Sequence, residues 1–236
     1  MEQIYTIPVN EAFEKGMEDE TRGCPFCRLY RKLELDELDL ILGASMMEPD
    51  VRKKTNEKGF CPDHYTTMMK RGKRLPLALI LQSHLPEIDG LLKKPGIAPA
   101  IAGGESAKGL TKVSESCYVC DRAEANFSKM ISTAALLWET DLDFRIKCGS
   151  QPYFCLPHFS RFVALAKGQM KSKTFGEFYK AVYKKEEKVL STLQDKIDRF
   201  AKSFDYRYAK EPWDDAKRAI EDTMPVLNGT DCSDDE

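Results

Sequence analysis

The sequence predicts an all-α protein: two pseudo-repeated Cys3His metal-stapled helical modules followed by a long C-terminal amphipathic helix. Three features predict it: a doubled cysteine–histidine pattern, apolar residues recurring every three, four or seven positions, and Gly/Pro clusters between the periodic runs. The pattern reads Cys24-Pro-Phe-Cys27 then Phe60-Cys61-Pro-Asp-His64, and again Cys117-Tyr-Val-Cys120 then Phe154-Cys155-Leu-Pro-His158. Cys24 precedes Cys61 by 37 positions, Cys117 precedes Cys155 by 38, and the second copy starts 93 positions after the first. These eight positions take six of the eight cysteines and two of the three histidines, a concentration that points to metal ligation.

In chain order, the first module is read over 1–92. After Cys27 the residues Tyr30, Leu33, Leu38, Ile41 and Leu42 recur at helical spacing up to Gly43. A polar return from Met47 to Gly59 follows, with Pro49 and Gly59 as turn markers. Beyond His64, a basic run of Lys70, Arg71, Lys73 and Arg74 leads into a helix carrying Leu77, Ile80, Leu81, His84, Leu85 and Ile88 on one face. His84 is read as a hydrogen-bonded core or interface histidine, because both quartets are complete without it. Residues 93–116, rich in Gly, Pro and Ala, read as a flexible linker.

The second module is read over 117–170. Its stripe is Ala123, Phe127, Met130, Ile131, Ala134, Leu137 and Trp138, and Asp143-Phe144-Arg145 answers Asp50-Val51-Arg52 of the first copy. A C-terminal segment over 171–228, packing on both modules, holds the strongest periodicity. Phe175, Tyr179, Val182, Val189, Leu193, Ile197, Phe200 and Phe204 predict one helix from Ser172 to Tyr208. Such a stripe could also form a homodimer seam. Pro212 opens a short helix bearing Trp213, Ala216, Ile220 and Met224, closed by Pro225 and Gly229. Residues 229–236 are an acidic tail in which Cys232 is incidental.

Ligands two residues apart reach one ion from a single turn, and thiolates with an imidazole in a tetrahedral set suit zinc rather than cations that want oxygen. Three thiolates, a neutral imidazole and Zn²⁺ leave a local charge of about −1. Each pair opens a helix whose N-terminal N–H groups and partial positive charge favour thiolates. The expected metal ligands are Cys24, Cys27, Cys61, His64, Cys117, Cys120, Cys155 and His158, two zinc ions per chain, with iron–sulfur ligation as the alternative. Spacing does not say which distant pair completes each tetrahedron. The linker makes pairing within each copy simpler, while Cys24 and Cys27 could instead share an ion with Cys155 and His158 in a cross-braced arrangement.

Cys-Pro-Phe-Cys also resembles the redox turn of thioredoxin-like proteins, but that motif follows an apolar strand, and here a charged stretch from Glu14 to Gly23 precedes it. A disulfide framework is not needed at this length. Cys148 is read as an unligated loop thiol, with a resolving thiol as the alternative. With 236 residues, 42% of them hydrophobic, the chain can bury a sizeable core; a formal net charge of −2 supplies no global field for nucleic acid. No apolar run is long enough for a bilayer, and the first residues lack the pattern of an export signal, so a cytoplasmic location is expected.

The segments Ile4 to Phe13, Cys24-Pro-Phe-Cys27-Arg28-Leu29, Met46 to Arg52, Asn56 to Cys61, Asp205-Tyr206-Arg207 and Pro212-Trp213 resemble, almost end to end, a prokaryotic family known as domain of unknown function 6062. The resemblance implies a cytoplasmic bacterial or archaeal protein with these Cys/His positions and no assigned activity. No Ser/His/Asp set, phosphate-cradling loop or H-E-x-x-H motif supports an enzyme. The functional expectation is therefore a zinc-stabilised interaction or scaffold protein whose partner is another protein. The alternative is a thiol-based redox or metal sensor.

Overall fold

The computed structural model describes residues 3–18, 23–93, 99–208 and 212–229. Among these there is no strand. The α-helices are α1 (Thr6–Glu18), α2 (Pro25–Ile41), α3 (Pro49–Lys58), α4 (Pro62–Lys70), α5 (Arg74–Leu92), α6 (Pro99–Ser114), α7 (Tyr118–Thr140), α8 (Leu142–Gly149), α9 (Leu156–Gln169), α10 (Ser172–Lys202) and α11 (Ala219–Asn228). Short 3-10 turns occur at Gln3–Tyr5, Ala44–Met47, Tyr206–Tyr208 and Asp214–Ala216.

The chain forms two compact units that do not follow the sequential modules read from the sequence: one comprises Met1–Arg31 with Phe127–Glu236, the other Lys32–Asn126. The divisions fall inside α2 and inside α7.

The first unit has an aromatic core. Phe13, Phe26, Phe127, Phe144, Phe154, Phe162 and Phe178 are all fully buried. Their rings form a continuous set: Phe13 lies 4.7 Å from Phe144, Phe26 5.0 Å from Phe162, and Phe162 4.9 Å from Phe178. Each such pair adds about 0.5–1.5 kcal/mol beyond area burial. Helix α1 joins this core through Val9, Ala12, Phe13 and Gly16, a one-faced i, i+3, i+4, i+7 set, and packs on α8. Helix α10 packs on α8, α9 and α11.

The α10 stripe keeps the expected phase at Val182 and Leu193 but not at Tyr179 and Phe204. Phe178, Val182, Glu186 and Leu193 are buried, whereas Tyr179 is 40% exposed and Phe204 79% exposed. The helix also stops at Lys202, short of Tyr208. There Asp205 Oδ1 accepts the Arg207 backbone N–H at 2.9 Å, and this local bond competes with helical continuation.

The second unit is built from the rest of α2, α3–α6 and the start of α7. Its core gathers Leu38, Ile41, Leu42, Phe60, Met68, Leu77, Ile80, Cys117, Tyr118 and Val119. The polar return before Cys61 is helical over Pro49–Lys58 and packs on α5, where Arg52 donates to the Leu79 carbonyl at 2.7 Å. His84 is buried and its Nδ1–H donates to the Asn56 carbonyl at 2.8 Å, as a core histidine should. Within the basic run, Arg71 and Lys73 both pair with Asp39 at the surface.

Residues 93–116, expected as a flexible linker, contain α6 over Pro99–Ser114, which packs on α5. Gly109 serves the packing of α6 on α5. A Cβ there would stand 2.9 Å from Leu91 Cδ2, so this glycine permits close helix approach rather than breaking the helix. The tail residues from Thr230 onward, Cys232 included, lie outside the described residues, as do 94–98.

Candidate metal centres

The eight expected residues converge in two quartets, Cys24/Cys27/Cys155/His158 and Cys61/His64/Cys117/Cys120, and within each the donor atoms lie within 4.8 Å of one another. Each quartet belongs to a single unit. Pairing within each copy, the simpler arrangement on sequence grounds, is therefore not what the fold adopts. The pairs close in nested order, outer with outer and inner with inner. Loop length is a weak argument against this, because closing Cys27 on Cys155 rather than on Cys61 costs only about 1 kcal/mol more in chain entropy.

Backbone bonds beside the inner centre hold its halves together. Tyr118 N–H donates to the Gly59 carbonyl at 3.0 Å, and Ser116 Oγ to the Lys58 carbonyl at 2.7 Å. Lys58 also pairs with Asp121. Gly59 has φ +61°, a left-handed value that frees α3 to end and Phe60-Cys61 to turn back. Cys61 is the N-cap of α4 with extended backbone, Pro62 follows in the first turn, and Cys117 immediately precedes α7.

The outer centre repeats this construction. Cys155 caps α9 with Pro157 in its first turn, and Cys24 precedes α2, its carbonyl accepting from Cys27 N–H at 3.1 Å and Arg28 N–H at 3.4 Å. All four pairs thus sit at helix N-termini, where N–H dipoles favour thiolate.

The spacings suit one tetrahedral ion. Zinc–sulfur bonds of about 2.3 Å and zinc–nitrogen bonds of about 2.0 Å require S···S near 3.8 Å and S···N near 3.5 Å. In the outer centre Cys27 Sγ lies 3.6 Å from Cys155 Sγ, and His158 Nδ1 lies 3.8, 3.4 and 3.1 Å from Cys24, Cys27 and Cys155. In the inner centre Cys61 and Cys120 sulfurs are 3.9 Å apart, and His64 Nδ1 lies 3.1, 3.3 and 3.5 Å from Cys61, Cys117 and Cys120. No described cysteine is in a disulfide.

The electrostatics of both quartets are compatible with a cation among the thiols. Burial first, then neighbouring thiols, drives the Cys24 pKa well up. Cys155 is pushed up to about 12, its bond with Cys24 working downward but outweighed by Cys27 and burial. In the inner centre burial works to lower His64, yet Cys117 and Glu34 outweigh it and raise the imidazole to about 10. Burial likewise works to raise Cys117, but His64 and two backbone N–H groups bring it to about 6. Such clusters do not ionise together unaided, and a divalent ion held there would supply the missing positive charge.

The surroundings of the two centres differ. The outer sulfurs are buried, Cys24 and Cys155 fully, and the His158 ring meets Phe26 and Phe127 edge-to-face at 6.1 and 5.0 Å. Arg28, next to Cys27, is buried and donates to the Gly23 and Ala12 carbonyls at 3.0 and 2.7 Å, tying α1 to the metal turn. Glu186 Oε1 accepts the Phe154 N–H at 2.9 Å, fixing the approach to Cys155. Gly229, with φ +92°, ends α11 against the sulfurs: a Cβ would stand 3.4 Å from Cys27 Sγ and 3.7 Å from Cys155 Sγ. At the inner centre Cys61 and Cys120 are partly exposed. Arg28, Glu186, Gly229 and Glu34 carry no motif in the sequence. Cys148 joins neither quartet: it is 1% exposed, and burial pushes its thiol up to about 12.

Two Cys3His clusters able to hold metal ions are therefore present. No described helix is long and apolar enough to cross a membrane. No curated protein and no solved structure matches the chain. A family model described as a family of unknown function does match, over residues 1–234, and the chain belongs to that family, DUF6062.

Proposed function

We propose that the protein binds two zinc ions, one per quartet, and that the ions staple helix ends in a body that serves as an interaction or scaffold protein. The convergence of three sulfurs and one imidazole nitrogen within 4.8 Å in each quartet carries this reading. A closed four-ligand set leaves no coordination position for substrate and contributes to folding instead. Structural zinc is worth about 10–16 kcal/mol in small peptides, comparable to the whole net stability of a domain at about 5–15 kcal/mol. Zinc is favoured over an iron–sulfur cluster because a two-iron core holds its terminal ligands as two separated pairs, whereas these donors lie at single-ion spacing.

Two further parallels support duplication of one ancestral motif. The C-x2-C pairs open the long helices α2 and α7, and the C-x2-H pairs open the shorter α4 and α9. Asp50-Val51-Arg52 and Asp143-Phe144-Arg145 both lie in the first turn of a helix, α3 and α8. The partner we propose is another protein, in a reducing compartment such as the cytoplasm that suits thiolate ligation. A second copy docking through α10 is the alternative.

The test is metal content of anaerobically purified protein by elemental analysis and native mass spectrometry. Two zinc per chain, falling to about one with lost helicity in Cys27→Ser and in Cys120→Ser, supports the reading. Absence of metal, with Cys24 and Cys27 cycling through a disulfide, overturns it in favour of a thiol oxidoreductase. Partial exposure of Cys61 and Cys120 favours a second reading, a redox sensor. In that reaction two inner thiolates form a disulfide, peroxide is reduced to water, and zinc leaves. Release of one ion by stoichiometric peroxide distinguishes the sensor from the scaffold.

A further inference from the structure

We infer that Glu34 is a positioning residue of the inner centre, forming a carboxylate–histidine–metal relay that sets how tightly that centre alone holds its ion. The inference rests on the metal-binding reading above. His64 offers two ring nitrogens. Nδ1 faces the three sulfurs, and Nε2 lies 3.2 Å from Glu34 Oε1. The ring is 3% exposed, so this carboxylate replaces water as the Nε2 partner.

The chemistry follows from the two ends of the imidazole. A hydrogen on Nε2 donated to Glu34 leaves the Nδ1 lone pair toward the sulfurs, where a metal ligand needs it. The bond also fixes ring rotation, and the negative carboxylate makes the imidazole a stronger donor. Glu34 lies on α2, on its second turn beyond Cys27, and its side chain is 17% exposed, so water competes little for it. The outer centre is built differently: the His158 ring is held by the edges and faces of Phe26 and Phe127. One imidazole is oriented by a charge, the other by packing. The two centres should therefore respond differently to loss of an acid.

The experiment is zinc competition with a chromogenic chelator on the full-length protein, with cobalt(II) substitution as a second readout, comparing wild type, Glu34→Gln and Glu34→Ala. Wild type should hold two ions. In Glu34→Ala one ion should bind about 10–100-fold more weakly, with its cobalt d–d absorption shifted, while the other is unchanged. Glu34→Gln keeps an acceptor for Nε2–H without the charge and should fall between. Two ions with unchanged affinity in Glu34→Ala overturn the inference and leave metal binding intact. Equal weakening of both ions in both variants, with lost helicity by circular dichroism, also overturns it, because Glu34 would then be a folding residue. Failure of wild type to bind two ions would instead overturn the metal reading itself.

Discussion

The sulfurs of Cys27 and Cys155 lie 3.6 Å apart although 128 positions separate the two residues along the chain. That closeness makes the nesting of the ligand pairs testable. Cys27→Ser and Cys155→Ser should each remove the same ion, and the double variant should lose no more than either single one. Cys27→Ser combined with Cys61→Ser should remove both ions. Pairing within each copy makes the opposite prediction, with Cys27 and Cys61 redundant and Cys27 and Cys155 additive, so native mass spectra of the four variants decide between them.

Gly229 bears on the outer centre from the far end of the chain. Its φ of +92° is costly for any residue with a Cβ, and that Cβ would point at Cys27 and Cys155 at contact distance. Gly229→Ala should lower thermal or denaturant stability by about 1–2 kcal/mol. Zinc should also exchange faster from the outer centre than from the inner one. An unchanged midpoint would show that the end of α11 can swing away from the sulfurs at no cost.

How far the sequence discloses this protein follows from the range of each signal. Ligand identity and the helical start at every pair are local, written in two-residue spacings and in Pro62 and Pro157, and these are readable directly. Pairing is not local. It depends on α6, which Gly103, Gly104 and Gly109 disguise as linker, and on the Tyr118–Gly59 backbone bond, which no side chain announces. One aromatic position of the α10 stripe is illegible for a related reason. Phe178 and Tyr179 are adjacent and equally aromatic, and only contact with Trp138 and Phe162 selects Phe178 for burial. Helix α1 did carry a signal in Val9, Ala12, Phe13 and Gly16, but four small or apolar residues in thirteen are a faint stripe. Glu34 and Glu186 look like ordinary surface acids until the fold sets them beside His64 and Phe154.

Cys148 should be chemically silent. Its thiol is buried, and burial together with the charge of Glu186 outweighs Lys185 to hold it near 12, so almost no thiolate exists at neutral pH. Native protein treated with N-ethylmaleimide should leave Cys148 unlabelled by peptide mass mapping, whereas chelation should expose Cys61 and Cys120 to the reagent first. Peroxide-driven zinc release should be the same in Cys148→Ser as in wild type. A slower or incomplete release in that variant would restore the resolving-thiol role.

Glu186 gives the fold a defined pH response. Burial raises its carboxyl to about 7 against the Phe154 N–H and Lys185, which work to lower it. The folded state therefore holds a proton that the unfolded chain, with a carboxyl near 4.5, has already released between these pH values. Stability from this group is greatest below the unfolded value and declines as pH rises from about 4.5 through 7, by about 3 kcal/mol in the limit where burial is not relieved. Glu186→Gln keeps an oxygen for the Phe154 N–H and removes the titration. Its denaturant midpoint should gain on that of wild type steadily as pH rises from 5.5 to 8. Parallel curves for the two proteins across that range would show that Glu186 is hydrated in solution and that Cys155 is approached without a buried acid.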